Sequence, residues 1–168
     1  MPKYLTEFTG EKIYVDSSVF LFVAPADSEY GSSSLQFLQH ASQSDMKLVI
    51  SSLTVDEISF VALKAKLEER LDITSGQVLY LKKHPEVIKT LAPEVNRITE
   101  NILRLSDIIG VGPEDIQRLT YLMETYGLLP RDALHIAVMQ RCGLTDIASS
   151  DADFDRVVSI TRYTPEKS

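Results

Sequence analysis

The chain of 168 residues is one domain's worth, long enough to bury a core without disulfide or metal staples. Its 44% hydrophobic and 24% charged residues are those of an ordinary globular protein and argue against disorder. Twenty-four acids against 17 lysines and arginines leave a formal net charge of -7, so the mean field repels nucleic acid and no basic footprint marks a polyanion partner.

Residues Met1 to Lys12 read as a polar lead-in. Ile13 to Val15 then form a short β-prone run that stops at Asp16, followed by Ser17, Ser18 and an apolar segment Val19 to Ala24: strand, acid, helix start. Pro25 to Ser34 has loop chemistry, with Ser34 as the expected cap of a helix Leu35 to Ser42. Lys47 to Ser51 is a second buried-strand candidate. Thr54 is expected to open a helix in which Ile58, Val61, Ala62, Ala65 and Leu67 recur at helical spacing, with Glu57 in its first turn. Leu71 to Gly127 reads as wholly helical, three or four helices broken at Pro85, Pro93 and Gly110-Val111-Gly112-Pro113. Pro130 suits a helical first turn and carries Asp132 with it. The apolar run Ala133 to Met139 marks that helix as buried, and Gly143 ends it. Asp146 to Ser150 predicts a strand leading to Asp151, Ala152 to Val158 another helix start, and Ile160 to Tyr163 an edge strand.

No repeat, low-complexity tract or linker divides the chain, so residues 1–168 are expected to form a single domain with residues 71–127 as a helical lobe within it. Strands alternating with helices imply an α/β fold: a parallel sheet with right-handed crossovers and helices on both faces. No window approaches the ~20 apolar residues of a membrane span, and the start lacks the apolar core of a signal peptide. The single cysteine, Cys142, has no partner for an internal disulfide and reads as a small apolar packer. A cytoplasmic protein without a membrane partner is expected.

Asp16, Glu57, Asp132 and Asp151 each sit at the end or opening of an element. In a parallel sheet the strand carboxyl ends and the following helix starts share one side, so these acids can converge where such sheets bind ligands. Crowded carboxylates repel unless protonated or bound to cations, and an oxygen-rich set suits Mg2+ or Mn2+. A cation held there reverses the local field and admits a phosphate to an acidic protein. Each acid also has a plainer reading. Thr54 to Glu57 fits a capping box, Asp132 complements a helix dipole, Asp151 caps the next helix, and Asp16 is a turn residue or cap. His135, on an apolar helix, reads as a hydrogen-bonded core histidine, and no histidine is given a catalytic role.

In order along the chain, YVDSSVFLF, SSLTVDEIS, PRDALHIAVMQRCG and SSDADFDRV resemble the motifs of PIN-domain nucleases, including the VapC-type toxin ribonucleases. Those proteins present an early Asp, a helical Glu, an Asp-Ala helix and a late Ser/Thr-x-Asp-x-x-Phe. The likeness covers both ends of the chain but not its middle. It implies a three-layer sandwich around a mostly parallel sheet with an enlarged helical lobe. The implied activity is a metal-dependent endoribonuclease that hydrolyses phosphodiester bonds of single-stranded RNA, as in the toxin of a toxin–antitoxin pair. Carried over residue by residue, the resemblance places one or two Mg2+ or Mn2+ ions on Asp16, Glu57, Asp132 and Asp151, with Asp155 as a fifth member. Ser149 would orient water or substrate phosphate. Arg131, with Lys64, Lys66, Arg156 and Arg162, is a candidate for RNA phosphates, against the plainer reading of solvated charge. An antitoxin-like inhibitory protein and a homodimer follow from the resemblance alone. Two departures stand out: Ser18 occupies a position where the family commonly has Asn, and Leu71 to Gly127 is longer than in compact toxins. The alternatives are a PIN-like module that binds RNA or protein without cutting, and an unrelated acidic-pocket protein such as a receiver domain or metal-dependent phosphatase.

Overall fold

The computed structural model describes residues 3–23 and 29–167. Six strands, β1 (Lys3–Tyr4), β2 (Lys12–Val15), β3 (Lys47–Ser51), β4 (Ser106–Ile109), β5 (Asp146–Ala148) and β6 (Thr161–Thr164), form one sheet in the order β1-β6-β5-β2-β3-β4. Every pairing in it is parallel. The helices are α1 (Ser17–Leu21), α2 (Gly31–Gln43), α3 (Ser52–Leu71), α4 (Gln77–Lys83), α5 (Pro85–Leu105), α6 (Pro113–Tyr126) and α7 (Pro130–Arg141).

The alternation of side chains across a pleated strand sorts the core into two layers. Ile13, Val15, Leu48, Ile50 and Ala148 pack on one face with Val19, Phe20, Phe37, Leu38 and Ile58, from α1, α2 and α3. Tyr14, Val49 and Ile147 point to the other face, against Leu122 of α6 and the Ala133 to Met139 run of α7. The central strands are therefore covered on both sides, which is why they read as continuous apolar runs rather than as alternations. Fully burying each large apolar side chain contributes ~1.5–3 kcal/mol. A separate cluster of Leu67, Leu81 and Leu91 joins α3, α4 and α5.

Several expectations are corrected. The stretch from Leu71 to Gly127 is not wholly helical: β4 lies within it and pairs with β3, Ile50 opposite Ile108 and Ser51 opposite Ile109. Four residues following a long amphipathic helix carry no periodicity of their own, and pairing with a distant strand decides their conformation. Pro93 does not break α5; it stands on the exposed side of the helix, where the carbonyl it leaves without a donor can turn to water. The polar lead-in contains β1, so β6 is not an edge strand but runs between β5 and β1. Helix α2 starts at Gly31, which makes Ser34 a buried interior residue instead of a cap. Helix α3 starts at Ser52, capped by the Ser51 hydroxyl, which accepts from the amides of Leu53 and Thr54. Glu57 consequently falls in the second turn, outside any capping box. The stretch after Asp151 is a short 3-10 turn, Ala152–Arg156, and not an α-helix. The ends of the segments expected as Val19 to Ala24 and Pro25 to Ser34 that meet at residues 24–28 lie outside the described residues.

One buried ion pair ties α6 to α7. Asp115 is 0% exposed; its carboxylate accepts from Arg141 Nε at 2.9 Å and Nη2 at 3.0 Å, and from the Gly112 amide at 2.7 Å. Arg141 also donates to the Gly110 carbonyl at 2.7 Å, anchoring the end of α7 to the turn between β4 and α6.

Candidate metal centre

The site forms at the carboxyl ends of β2 and β5. Asp16 directly follows β2, and its amide donates to the Ala148 carbonyl of β5 at 3.0 Å. Its side chain, 8% exposed, caps α1: Oδ2 accepts from Ser18 Oγ at 2.8 Å and from the Ser18 amide at 3.4 Å. The same oxygen accepts from Ser149 Oγ at 2.9 Å. Ser149, buried after β5, in turn accepts from the Asp151 amide at 3.0 Å, and Ser18 Oγ accepts from the Ser150 amide at 3.2 Å. Two hydroxyls thus lace the strand ends together and fix the Asp16 carboxylate. Ser18 performs this double role with a short side chain at the position where the resemblance leads one to expect Asn.

Glu57 reaches the same place from α3. Its Oε1 accepts from Arg131 Nη1 at 3.1 Å, and Arg131 also pairs with Asp56 at 3.4 Å. Its Oε2 is buried without a hydrogen-bond partner, 3.7 Å from Nε2 of His135, which is likewise buried and unpartnered. His135 is 1% exposed on α7, and its Nδ1 lies 2.7 Å from the Tyr14 hydroxyl. One ligand atom each from Asp16, Glu57 and His135 lie within 4.8 Å of one another. His135 is the hydrogen-bonded core histidine expected from the sequence, but its second nitrogen is unpartnered and lies beside the acids. The available signal is its position three residues after Asp132, on the same face of a largely buried helix.

The electrostatics reflect this crowding. Asp132 is partly buried in the first turn of α7, and its carboxyl is raised above the usual range. Burial is the main cause, the charges of Asp151, Asp16 and Asp153 add to it, and His135 opposes them. Burial pushes Glu57 the same way, but the His135 imidazole, the Ser17 hydroxyl and Arg131 outweigh it and hold Glu57 below its ordinary value. Burial keeps the Tyr14 hydroxyl protonated well beyond neutral pH.

The remaining candidates are placed differently. Asp151 is exposed and caps the 3-10 turn, accepting from the Asp153 amide at 2.9 Å. Asp155 directs both oxygens to Arg162, each at 2.8 Å, and Arg162 also donates to the Ser149 carbonyl, so this pair buttresses the end of β5. Arg156 is held by the Gly127 carbonyl and Asp153, and Lys66 by Glu69 and Glu94. Lys64 lies over the Phe60 ring. Each of these cations has a partner within the chain.

The donor set fits a divalent cation: a carboxylate oxygen and an imidazole nitrogen are buried without partners beside a second, hydrogen-bond-oriented carboxylate. Burying two such atoms unsatisfied costs ~1–3 kcal/mol each, a cost that a shared cation removes.

Known proteins share this fold. The PIN domain family model matches residues 13–159. Ribonuclease VapC2 of Methanocaldococcus jannaschii is 24% identical over 147 residues, which are 87% of this chain and 89% of that protein. Among solved structures, VapBC2 from Rickettsia felis, bound to a DNA fragment from its promoter, superposes with a TM-score of 0.60 at 11% identity, covering 92% of this chain and 99% of that one. VapC20 of Mycobacterium tuberculosis, a sarcin-ricin loop cleaving toxin, superposes with a TM-score of 0.58 at 14% identity, covering 87% and 95%.

Proposed function

Because the chain belongs to the PIN domain family, we propose that it is a VapC-like, metal-dependent endoribonuclease that hydrolyses phosphodiester bonds of single-stranded RNA with Mg2+ or Mn2+. The observation that carries the reading is the buried, unpartnered Glu57 Oε2 facing the Asp16 carboxylate at the strand carboxyl ends. Asp16 and Glu57 hold the cation, and Asp132 and Asp151 complete the acidic rim. A divalent ion bound there supplies Lewis-acid chemistry, making water nucleophilic near neutral pH and offsetting phosphate charge. Ser149 and Ser18 keep Asp16 in one orientation, so that the ligand is set before the ion arrives. Arg131, half exposed and using only part of its donor fork on Glu57 and Asp56, keeps N–H groups for a substrate phosphate. Asp155, occupied by Arg162, is left out of the ligand set.

The same reading extends to partners. An apolar groove between α3 and α5, lined by Phe60, Leu63, Ile88 and Val95, begins at Asp56 beside Arg131. It would receive an antitoxin-like inhibitory segment running toward the acids, with self-association into a homodimer as the accompanying expectation. Among the described residues no helix is long and apolar enough to cross a membrane; the cytoplasm is the expected place of action. Asp16→Asn tests the scheme: metal-dependent cleavage of mixed single-stranded RNA should be abolished, and undiminished cleavage by the folded variant removes Asp16 from it.

A further inference from the structure

His135 is the one member of the cluster that is not an acid. Its ring is fixed on two sides: Nδ1 lies 2.7 Å from the Tyr14 hydroxyl, and the ring packs edge-on against Phe154, with 6.5 Å between centroids. Tyr14 is itself fully buried at the centre of β2. The remaining ring atom with hydrogen-bonding capacity, Nε2, faces Glu57 Oε2 across 3.7 Å. That gap is too long for a hydrogen bond between the two. It is shorter than about 4.2 Å, the sum of one metal–nitrogen and one metal–oxygen distance, so a single ion can touch both atoms. Asp16 offers its oxygen within the same 4.8 Å span.

Resting on the reading of this site as a metal centre, we propose that His135 Nε2 is a direct ligand of the cation. With Asp16 and Glu57 it forms a mixed imidazole–carboxylate site that favours Co2+ or Zn2+ over Mg2+. Ligation through Nε2 requires one tautomer of the ring. For Nε2 to present its lone pair, Nδ1 must carry the ring proton and donate it to the Tyr14 oxygen, the arrangement in which metal-ligating histidines are commonly held by their second nitrogen. An all-oxygen site suits Mg2+, which seeks an octahedral, partly hydrated shell; an imidazole raises affinity for the later first-row ions.

The test is pulsed EPR of the full chain loaded with Mn2+, alongside Co2+ and Mg2+ titrations by calorimetry. A nitrogen directly coupled to Mn2+ is expected. It should persist when the other two histidines, His40 and His84, are replaced together by Gln; both are solvent-accessible, so this variant is expected to fold. In His135→Gln, checked for native circular dichroism, the coupling should vanish. Its Co2+ affinity should fall on the order of 10- to 100-fold, with Mg2+ affinity nearly unchanged. Mn2+ bound without nitrogen coupling overturns the imidazole ligand and leaves the carboxylate metal centre standing. A coupling that survives in folded His135→Gln or disappears with His40 and His84 overturns it equally. No binding of Mn2+ at millimolar concentration overturns the metal centre and this inference together.

Discussion

Replacing Asp115 by Asn is expected to loosen the helix that carries Asp132 and His135. Removing one partner of a buried ion pair costs ~3–5 kcal/mol when the other charge is left in the interior. Here Arg141 is 29% exposed and can turn to water, and an Asn oxygen can still accept from the Gly112 amide, so the expected loss is about 2 kcal/mol. For a chain of this size that is about 4–8 °C in Tm. The effect also has a pH signature. Burial pushes the Asp115 carboxyl up, but the two Arg141 bonds and the Gly112 amide more than reverse this, leaving it below the usual carboxylate value. A depressed folded value means that the stabilisation is present above the unfolded pKa of ~3.9 and is lost as pH falls through the lower folded value. Urea unfolding of wild type and Asp115→Asn should differ most at neutral pH and converge on acidification below about pH 4. An unchanged midpoint at pH 7, or a gap that persists undiminished in acid, would refute the argument that this carboxylate is held ionised by Arg141.

Asp132→Asn should raise the Tm of metal-free protein at neutral pH, because a carboxyl with a raised folded pKa is most favourable below that pKa and costs stability once ionised above it; differential scanning calorimetry in EDTA checks the sign. Ser149→Ala removes a buried hydroxyl that donates to Asp16 and accepts from the Asp151 amide; it should lower stability by ~1–3 kcal/mol in denaturant unfolding and weaken Mn2+ binding on the order of tenfold by calorimetry. Mn2+ at 100 times its dissociation constant should stabilise wild type by about 2.7 kcal/mol through mass action, read as a rise in Tm, and folded Asp16→Asn should lose most of that rise. Arg131→Ala should reduce RNA affinity more than fold stability, since a half-exposed pair with Glu57 and Asp56 is worth ~1 kcal/mol or less; filter binding in Ca2+ and urea unfolding separate the two.

Features set by local chemistry could be read from the chain: β2 stopping at Asp16, the proline-led start of α7, the strand before Asp151, and the buried character of the Ala133 to Met139 run. Features set by distant pairing could not. The four residues of β4 acquire their conformation from β3, and two-residue β1 from β6. His135 meets Tyr14 across 121 positions and Glu57 from another helix, and the apolar sequence around it favours a core reading. Glu57 falls in the second turn and not in the expected first, because Ser51, the last residue of a strand, is also the helix cap. The Asp155 and Arg162 pair, seven residues apart, was within reach of charge-pattern reasoning, but only the turn after Asp151 shows that it closes.

The measurement that bears most directly on the account is cleavage of mixed single-stranded RNA by wild type and identically purified Asp132→Asn, each with Mn2+, Mg2+ or EDTA. Cleavage by wild type in either metal, none in EDTA and none by the variant is the expected result. Equal cleavage by both proteins, or cleavage that survives EDTA, would contradict a metal-dependent nuclease built on these acids.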